Sequence, residues 1–184
     1  MIRQATILMC TLAVALLVAV SAPAADEQAD AREQFSGTWE LSLSEAQARE
    51  QIDQAIEDVV EQMFFIKRPF ARSELRGVTE PCATLQIDFP GEQVAVQCDD
   101  KPPSVSPNGD ERVRYEAADG TIYRVEQKQS GRVLRQIFYS DDGRRTNTMH
   151  LSRDGRTFDM RVSIDSDQLP EAVEYELTFR AQSD

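Results

Sequence analysis

Histidine is nearly absent, with one residue in 184; cysteine is scarce at three, and aromatic residues make up 7% of the chain. A single histidine rules out a metal centre built on several imidazoles. It also leaves any Ser-His or Cys-His nucleophile dependent on His150. No Lys/Arg block interrupts a chain with 32 acidic against 20 basic residues and a net charge of −12. Such a surface repels phosphate backbones and anionic lipid alike, so nucleic acid is not expected as a partner. Low-complexity tracts are missing too. With 41% apolar and 28% charged residues, the chain is expected to bury one core.

Only one long apolar run exists, Ile7 to Val20. It follows the single charge of Arg3 and precedes Ser21-Ala22-Pro23-Ala24-Ala25. Residues 1–25 therefore read as a cleaved secretory signal. The run is at the short limit for a span, and a polar Asp/Glu/Gln segment follows at once, so no stable membrane insertion is expected after cleavage. Cys10 lies inside the run behind Met9, where lipid attachment would want a small residue. The expected organisation is a polar lead over 26–34 and one domain over 35–184, in the periplasm or secreted. Loss of Arg3 moves the net charge from −12 to −13, which leaves a cationic protein as an admissible partner. Cleavage also removes Cys10, so Cys82 and Cys98 remain to pair as a disulfide in an oxidising compartment.

From Phe35 to Ser44 apolar and polar residues alternate, with Trp39, Leu41 and Leu43 on one face, which predicts a half-buried strand. Ser44-Glu45-Ala46-Gln47 matches a capping box. Ala48, Ile52, Ala55, Ile56, Val59, Val60 and Met63 then recur at helical spacing down to Phe64 and Phe65, opposite an acidic face. Pro69 ends that helix and opens a short second one through Leu75, closed by Gly77.

Beyond Cys82 the period changes to two, with turn signals at Pro90-Gly91, Asn108-Gly109, Asp119-Gly120, Ser130-Gly131, Asp142-Gly143 and Asp154-Gly155. Tight turns there set Leu151 opposite Phe158 and Met149 opposite Met160. They set Gln136 between Met149 and Val125, Phe138 against Tyr123, Tyr123 against Tyr115, and Leu85 against Val96. The last strand offers Val173, Tyr175, Leu177 and Phe179 to the same face. This register places Cys82 and Cys98 on opposite faces of neighbouring strands, so a bridge between them requires a bulge near Pro81. With a short arm around Val105 the count is nine or ten strands. An open sheet of that length would twist excessively and expose its edges, so the expected fold is mostly β: a single antiparallel up-and-down barrel of 9–10 strands, with a helical insertion between the first and second.

The segment Phe35-Ser36-Gly37-Thr38-Trp39-Glu40-Leu41, the helical insertion and the unbroken meander together resemble the calycin superfamily, and within it the fatty-acid-binding-protein branch more than the lipocalins. The chain also resembles a group of exported bacterial proteins. The likeness implies a barrel that holds a hydrophobic molecule, with Trp39 as a plug at its base. It departs at the last strand, where the family's Arg-x-Tyr carboxylate anchor is replaced by Leu177-Thr178-Phe179.

The expected inner face supplies Tyr115, Tyr123, Gln136, Phe138, Asn147, Met149, Met160 and Tyr175 as candidate ligand contacts. It carries no charged residue in the strands whose register the turns constrain. Neutral hydrogen-bonding groups among apolar ones suit a neutral hydrophobic or amphipathic small molecule; the alternative is that they bond to one another, to backbone or to a few buried waters in a filled barrel. Ile56, Val60, Met63 and Phe64 are the candidate lid, the alternative being a fixed amphipathic helix that covers one open end. No catalytic residue, metal or cofactor is expected: His150 faces outward, and the pairs Asp99-Asp100 and Asp141-Asp142 sit in turns where nothing splits their acidities. An alternative role is an envelope interaction or enzyme-inhibitor barrel that meets a cationic partner through those acidic loops. The exterior ladder of Arg112, Glu126 and Arg135 reads as solubilising cross-strand pairing.

Overall fold

The computed structural model describes residues 23–182; the apolar run of the expected signal lies outside them. Ten antiparallel strands form one sheet: β1 (Gly37–Leu41), β2 (Thr84–Asp88), β3 (Gln93–Cys98), β4 (Ser104–Pro107), β5 (Val113–Glu116), β6 (Ile122–Ser130), β7 (Val133–Tyr139), β8 (Arg144–Leu151), β9 (Thr157–Asp165) and β10 (Val173–Ala181). Their order is β4-β3-β2-β1-β10-β9-β8-β7-β6-β5. The two ends of the sheet meet where Asn108, just past β4, bridges Gln127 of β6. There the Gly109 amide donates to the Gln127 carbonyl at 2.9 Å, and the Gln129 amide donates to Asn108 Oδ1 at 2.7 Å. The result is a nearly closed barrel with helices α2 (Glu45–Val60) and α3 (Arg68–Val78) inserted between β1 and β2.

The expected interior survives because alternation is parity-locked: Leu85, Ile87, Val94, Val96, Leu134, Met149, Met160, Val162, Leu177 and Phe179 are all buried. Two predicted registers hold residue for residue, Leu151 against Phe158 and Tyr123 against Tyr115. Three are corrected by two residues. Leu85 faces Cys98, Phe138 faces Val125, and Gln136 lies between Gln127 and Asn147. At the β6–β7 hairpin the reason is local. Gly131 adopts φ 53° as the first residue of the two-residue turn, so Ser130 pairs with Val133 instead of entering the turn. At β7–β8 the connection is four residues long, closed by the Ser140 amide on the Gly143 carbonyl at 2.9 Å. A two-residue slip moves every partner yet leaves each side chain on its own face.

The segment expected as a polar lead is largely the helix α1 (Pro23–Phe35). Ala31 and Phe35 are buried, and the Trp39 indole N–H donates to the Phe35 carbonyl at 2.9 Å. Trp39 meets Phe158 edge-on at 4.8 Å, and Phe158 stacks on Phe179 at 5.1 Å. These rings fill the closed end of the barrel, with Trp39 as its plug. Arg32 and Gln34 tie α1 to Gln129 and Arg132 at the β6–β7 turn.

The other end is covered by α2 and α3. The Ser44–Gln47 capping box opens α2, and Ala48, Ile52, Ile56, Val59 and Val60 bury its apolar stripe. Helical spacing predicted continuation to Phe65, but α2 stops at Val60. Past its end, Arg68 donates to the Glu61 carbonyl at 2.6 Å, an acceptor that the helix end leaves open, and to the Met63 carbonyl at 2.9 Å in the turn that follows. Bidentate hydrogen bonding between Arg72 and Glu57 clamps α3 against α2. Among the described residues no helix is long and apolar enough to cross a membrane.

Candidate functional site

Along β8 the inward residues run Arg145, Asn147, Met149, Leu151, from the end covered by α3 to the plugged base. At about 3.3 Å per residue, Arg145 stands near the mouth and Met149 deep in the barrel. A cavity of about 170 Å³ lies between them. Leu85, Val96, Met149 and Met160 form its apolar wall, Tyr115 and Phe138 stand on the β5 and β7 side, and Gly77, Val78 and Glu80 close over it. Cys82 and Cys98 also line it, joined as a disulfide with Cα atoms 5.5 Å apart. No strand bulge is needed for the bridge. Cys82 precedes β2, so strand alternation does not fix its direction. At the other half, Asp99 ends β3 in a left-handed turn of φ 49°. Asp99 lies near both sulfurs, but a disulfide offers no thiolates to a metal.

Of the eight expected contacts, six line this cavity: Tyr115, Gln136, Phe138, Asn147, Met149 and Met160. Tyr123 lies one ring further out, edge-on to Phe138 at 5.9 Å, and Tyr175 is buried in the core away from the cavity. Burial raises the phenol pKa of both Tyr115 and Tyr123, chiefly by desolvation. None of the expected lid residues lines the cavity. Ile56 and Val60 are buried core, Met63 packs against it, and Phe64 is 65% exposed at the α2–α3 turn. The cover is instead the end of α3 and the segment that follows it.

The polar residues form a directed chain. Arg145 Nε donates to Asn147 Oδ1 at 3.0 Å, Asn147 Nδ2 to Gln136 Oε1 at 2.9 Å, and Gln136 Nε2 to Gln127 Oε1 at 2.9 Å. Gln127 Nε2 ends the chain on the carbonyls of Val94 at 2.9 Å and Ser104 at 3.2 Å. Gln136 and Asn147 are therefore largely satisfied by protein, and the same bonds staple the closing strands β3 and β4 to β6. The corrected registers make this possible by setting Gln127, Gln136 and Asn147 abreast on adjacent strands.

Sequence reasoning missed Arg145, and with it the charge on the inner face. The signal was present: Arg145 shares the parity of Asn147 and Met149. It stands second in β8, next to the Asp142-Gly143 turn. Its Nη1 donates to the Val78 carbonyl at 2.7 Å, at the last residue of α3. The acidic loops also differ from expectation. Asp99 is half-buried and accepts from the Thr84 amide at 2.8 Å, while Asp100, Asp141 and Asp142 are exposed.

No protein-family profile matches the chain, and no curated protein matches it. Solved structures do share the fold. A fatty-acid-binding protein of Schistosoma mansoni in complex with arachidonic acid is 16% identical, with a TM-score of 0.51 over 83% of this chain and 99% of that one. The REP1-NXSQ fatty acid transporter is 14% identical, with a TM-score of 0.50 over 83% and 98%. Lipid binding protein 8 of Caenorhabditis elegans is 15% identical, with a TM-score of 0.50 over 82% and 96%. The barrel of the fatty-acid-binding proteins is thus the fold of this chain.

Proposed function

We propose that the chain is a binding barrel for a small hydrophobic or amphipathic molecule, whose apolar part lies among Leu85, Val96, Met149 and Met160. The cavity carries this reading: a partly open chamber inside the barrel beneath Gly77 and Val78, apolar along Leu85, Val96, Met149 and Met160 and polar along Ser104, Gln136, Asn147 and Arg145, with Glu80 and Lys101 also in its lining. The solved proteins of the same fold, named for fatty acids and lipids, support it by analogy of architecture. At about 170 Å³ the chamber is close to the roughly 150 Å³ of a cavity that takes up benzene. A ring or a short chain fits; a longer one requires the cover to move. An uncharged ligand was expected from an inner face without charge, and Arg145 removes that ground. The disulfide and the signal-like N-terminus support a setting in the periplasm or outside the cell.

Native mass spectrometry of protein purified from its own envelope tests the reading. A small molecule retained by the wild type and lost on Val96→Phe, which fills the chamber, is the expected result. An empty barrel that also takes up no phenylalkyl probe in titration would sink it. A retained protein would instead favour the interaction role through the exposed Asp141 and Asp142.

A further inference from the structure

The turn between α2 and α3 carries its large apolar residues on the outside. Phe64, Phe65, Ile66 and Phe70 are 65%, 66%, 58% and 71% exposed, and the rings of Phe64 and Phe65 lie 4.8 Å apart. The other exposed large apolar residues, Val78, Val105 and Ile122, stand singly, as is ordinary on a surface. Here four fall within seven residues. The local fold does not require them: α3 is held by its buried Ala71 and Leu75. The turn itself is closed by backbone bonds, from the Lys67 amide to the Phe64 carbonyl and from the Ala71 amide to the Lys67 carbonyl. Apolar surface of this extent left in water is unfavourable, and covering it is the gain that drives association.

Charge indicates which cover fits. Asp58 and Glu61 precede the aromatic run, and Lys67 and Arg68 follow it. None of the four is in an ion pair with a described residue: Arg68 donates to carbonyls and Asp58 accepts from Gln54. The further cations of α3 are already paired, Arg72 with Glu57 and Arg76 with Asp53. Two unpaired cations beside two unpaired carboxylates fall short of the roughly four to eight basic residues that read an anionic lipid surface. A face with an apolar centre and both signs around it instead complements itself, because a twofold axis brings its cations to its own carboxylates. The area agrees. With about 150–250 Å² for an aromatic side chain, the exposed parts of the four residues amount to about 400–600 Å². A homodimer interface of standard size takes about 800 Å² from each partner, of which about 65%, or roughly 500 Å², is apolar.

We propose that this face is the interface of a twofold homodimer. Phe64, Phe65, Ile66 and Phe70 of two copies pack together, and Lys67 and Arg68 of each copy meet the acidic pair Asp58 and Glu61 of the other. The pocket reading is not needed for it. A net charge of −12 opposes the approach of two copies, but charges more than about 8 Å apart are screened at physiological ionic strength. At the contact itself the facing signs are opposite.

Sedimentation equilibrium of the chain purified from its envelope, at physiological salt, tests the interface. The wild type is expected to dimerise with a dissociation constant of about 1–10 µM. Phe65→Glu and Phe70→Glu each weaken the dimer about a hundredfold or more, with the circular dichroism spectrum unchanged because both side chains are exposed in the monomer. Ile122→Glu, at an exposed apolar residue elsewhere, leaves it intact. Charge reversal supplies a second readout. Lys67→Glu alone and Glu61→Lys alone each self-associate about tenfold more weakly. An equimolar mixture of the two restores the wild-type affinity, because each offers the sign the other lacks. A wild type that stays monomeric at about 100 µM overturns the proposal, as does a dimer indifferent to Phe65→Glu and Phe70→Glu, or a mixture no tighter than its components. Co-sedimentation of a monomeric wild type with phosphatidylcholine vesicles, lost on Phe65→Glu, overturns it in favour of a lipid surface.

Discussion

Gln136 of β7 lies directly across from Asn147 of β8, and Asn147 Nδ2 donates to Gln136 Oε1 at 2.9 Å. Both side chains are buried, so each bond they make is one that water cannot replace. Gln136→Leu leaves Asn147 Nδ2 without its acceptor, takes one donor from Ser104 Oγ, and leaves Gln127 Oε1 with only the Ser104 hydroxyl at 3.4 Å. The expected loss is about 2–3 kcal/mol of unfolding free energy, from the cost of unsatisfied buried groups. Adding Asn147→Leu removes one of the orphans, so the double variant loses less than the sum of the singles. Urea denaturation of the four proteins reads the coupling; strict additivity contradicts the chain.

The Cys82–Cys98 bridge ties the segment that covers the cavity to the end of β3, across a sequence separation of 16. A loop of that length is worth about 3 kcal/mol through the entropy of the unfolded chain. The variant with both cysteines changed to serine is expected to melt at lower temperature, and reductant is expected to lower the wild type toward it. Equal melting temperatures with and without reductant would refute a bridge in the folded protein.

Glu126 points away from the cavity, yet its side chain is only 8% exposed. Arg112 and Arg135 each lie 3.4 Å from it, and the Tyr139 hydroxyl donates to it at 3.1 Å. Glu126→Ala is expected to cost about 2 kcal/mol, as for a part-buried charged hydrogen-bonded group. Glu116→Ala, which removes the exposed pair with Arg114, is expected to cost about 0.5 kcal/mol or less. Chemical denaturation separates the two; equal costs would mean that the cluster is merely a surface ladder.

Glu57 has its pKa lowered from the ordinary 4.5, first by its hydrogen bond to Arg72. A carboxylate with a depressed folded value binds protons more readily in the unfolded chain. Its contribution is therefore complete above the ordinary value and lost as pH falls through the folded one. Glu57→Gln is expected to flatten the acid limb of the stability curve below about pH 4.5 and to leave the neutral limb parallel to the wild type. An unchanged acid limb would show that the α2–α3 clamp does not feel this proton.

The legible part of this protein was periodic. Period two placed Leu134, Met149, Met160 and Phe179 inside, and helical spacing placed Ile52, Ile56 and Val60 beneath the cap. The capping box at Ser44 fixed the start of α2. Each is a repeat over a few residues, and burial of one face is the physical content of such a repeat. Parity put the eight expected contacts on the inner face but did not say which reach the cavity, since Tyr123 and Tyr175 share that face and do not line it. The end of the cap helix was not legible in this way, because Phe64 keeps helical spacing in sequence while α2 stops at Val60.

By itself the sequence determined which side of each strand faces inward, because that choice is made within a strand and a two-residue slip does not alter it. Only the tertiary structure decided who stands next to whom. Turns that shifted two hairpins by two residues aligned Gln127, Gln136 and Asn147 into one hydrogen-bonded chain, and the packing of the segment from α3 to β2 on the barrel brought Cys82 to Cys98 and Val78 to Arg145. These are contacts between strands and helices far apart in the chain, fixed by packing and closure of the whole barrel, and no local pattern encodes them.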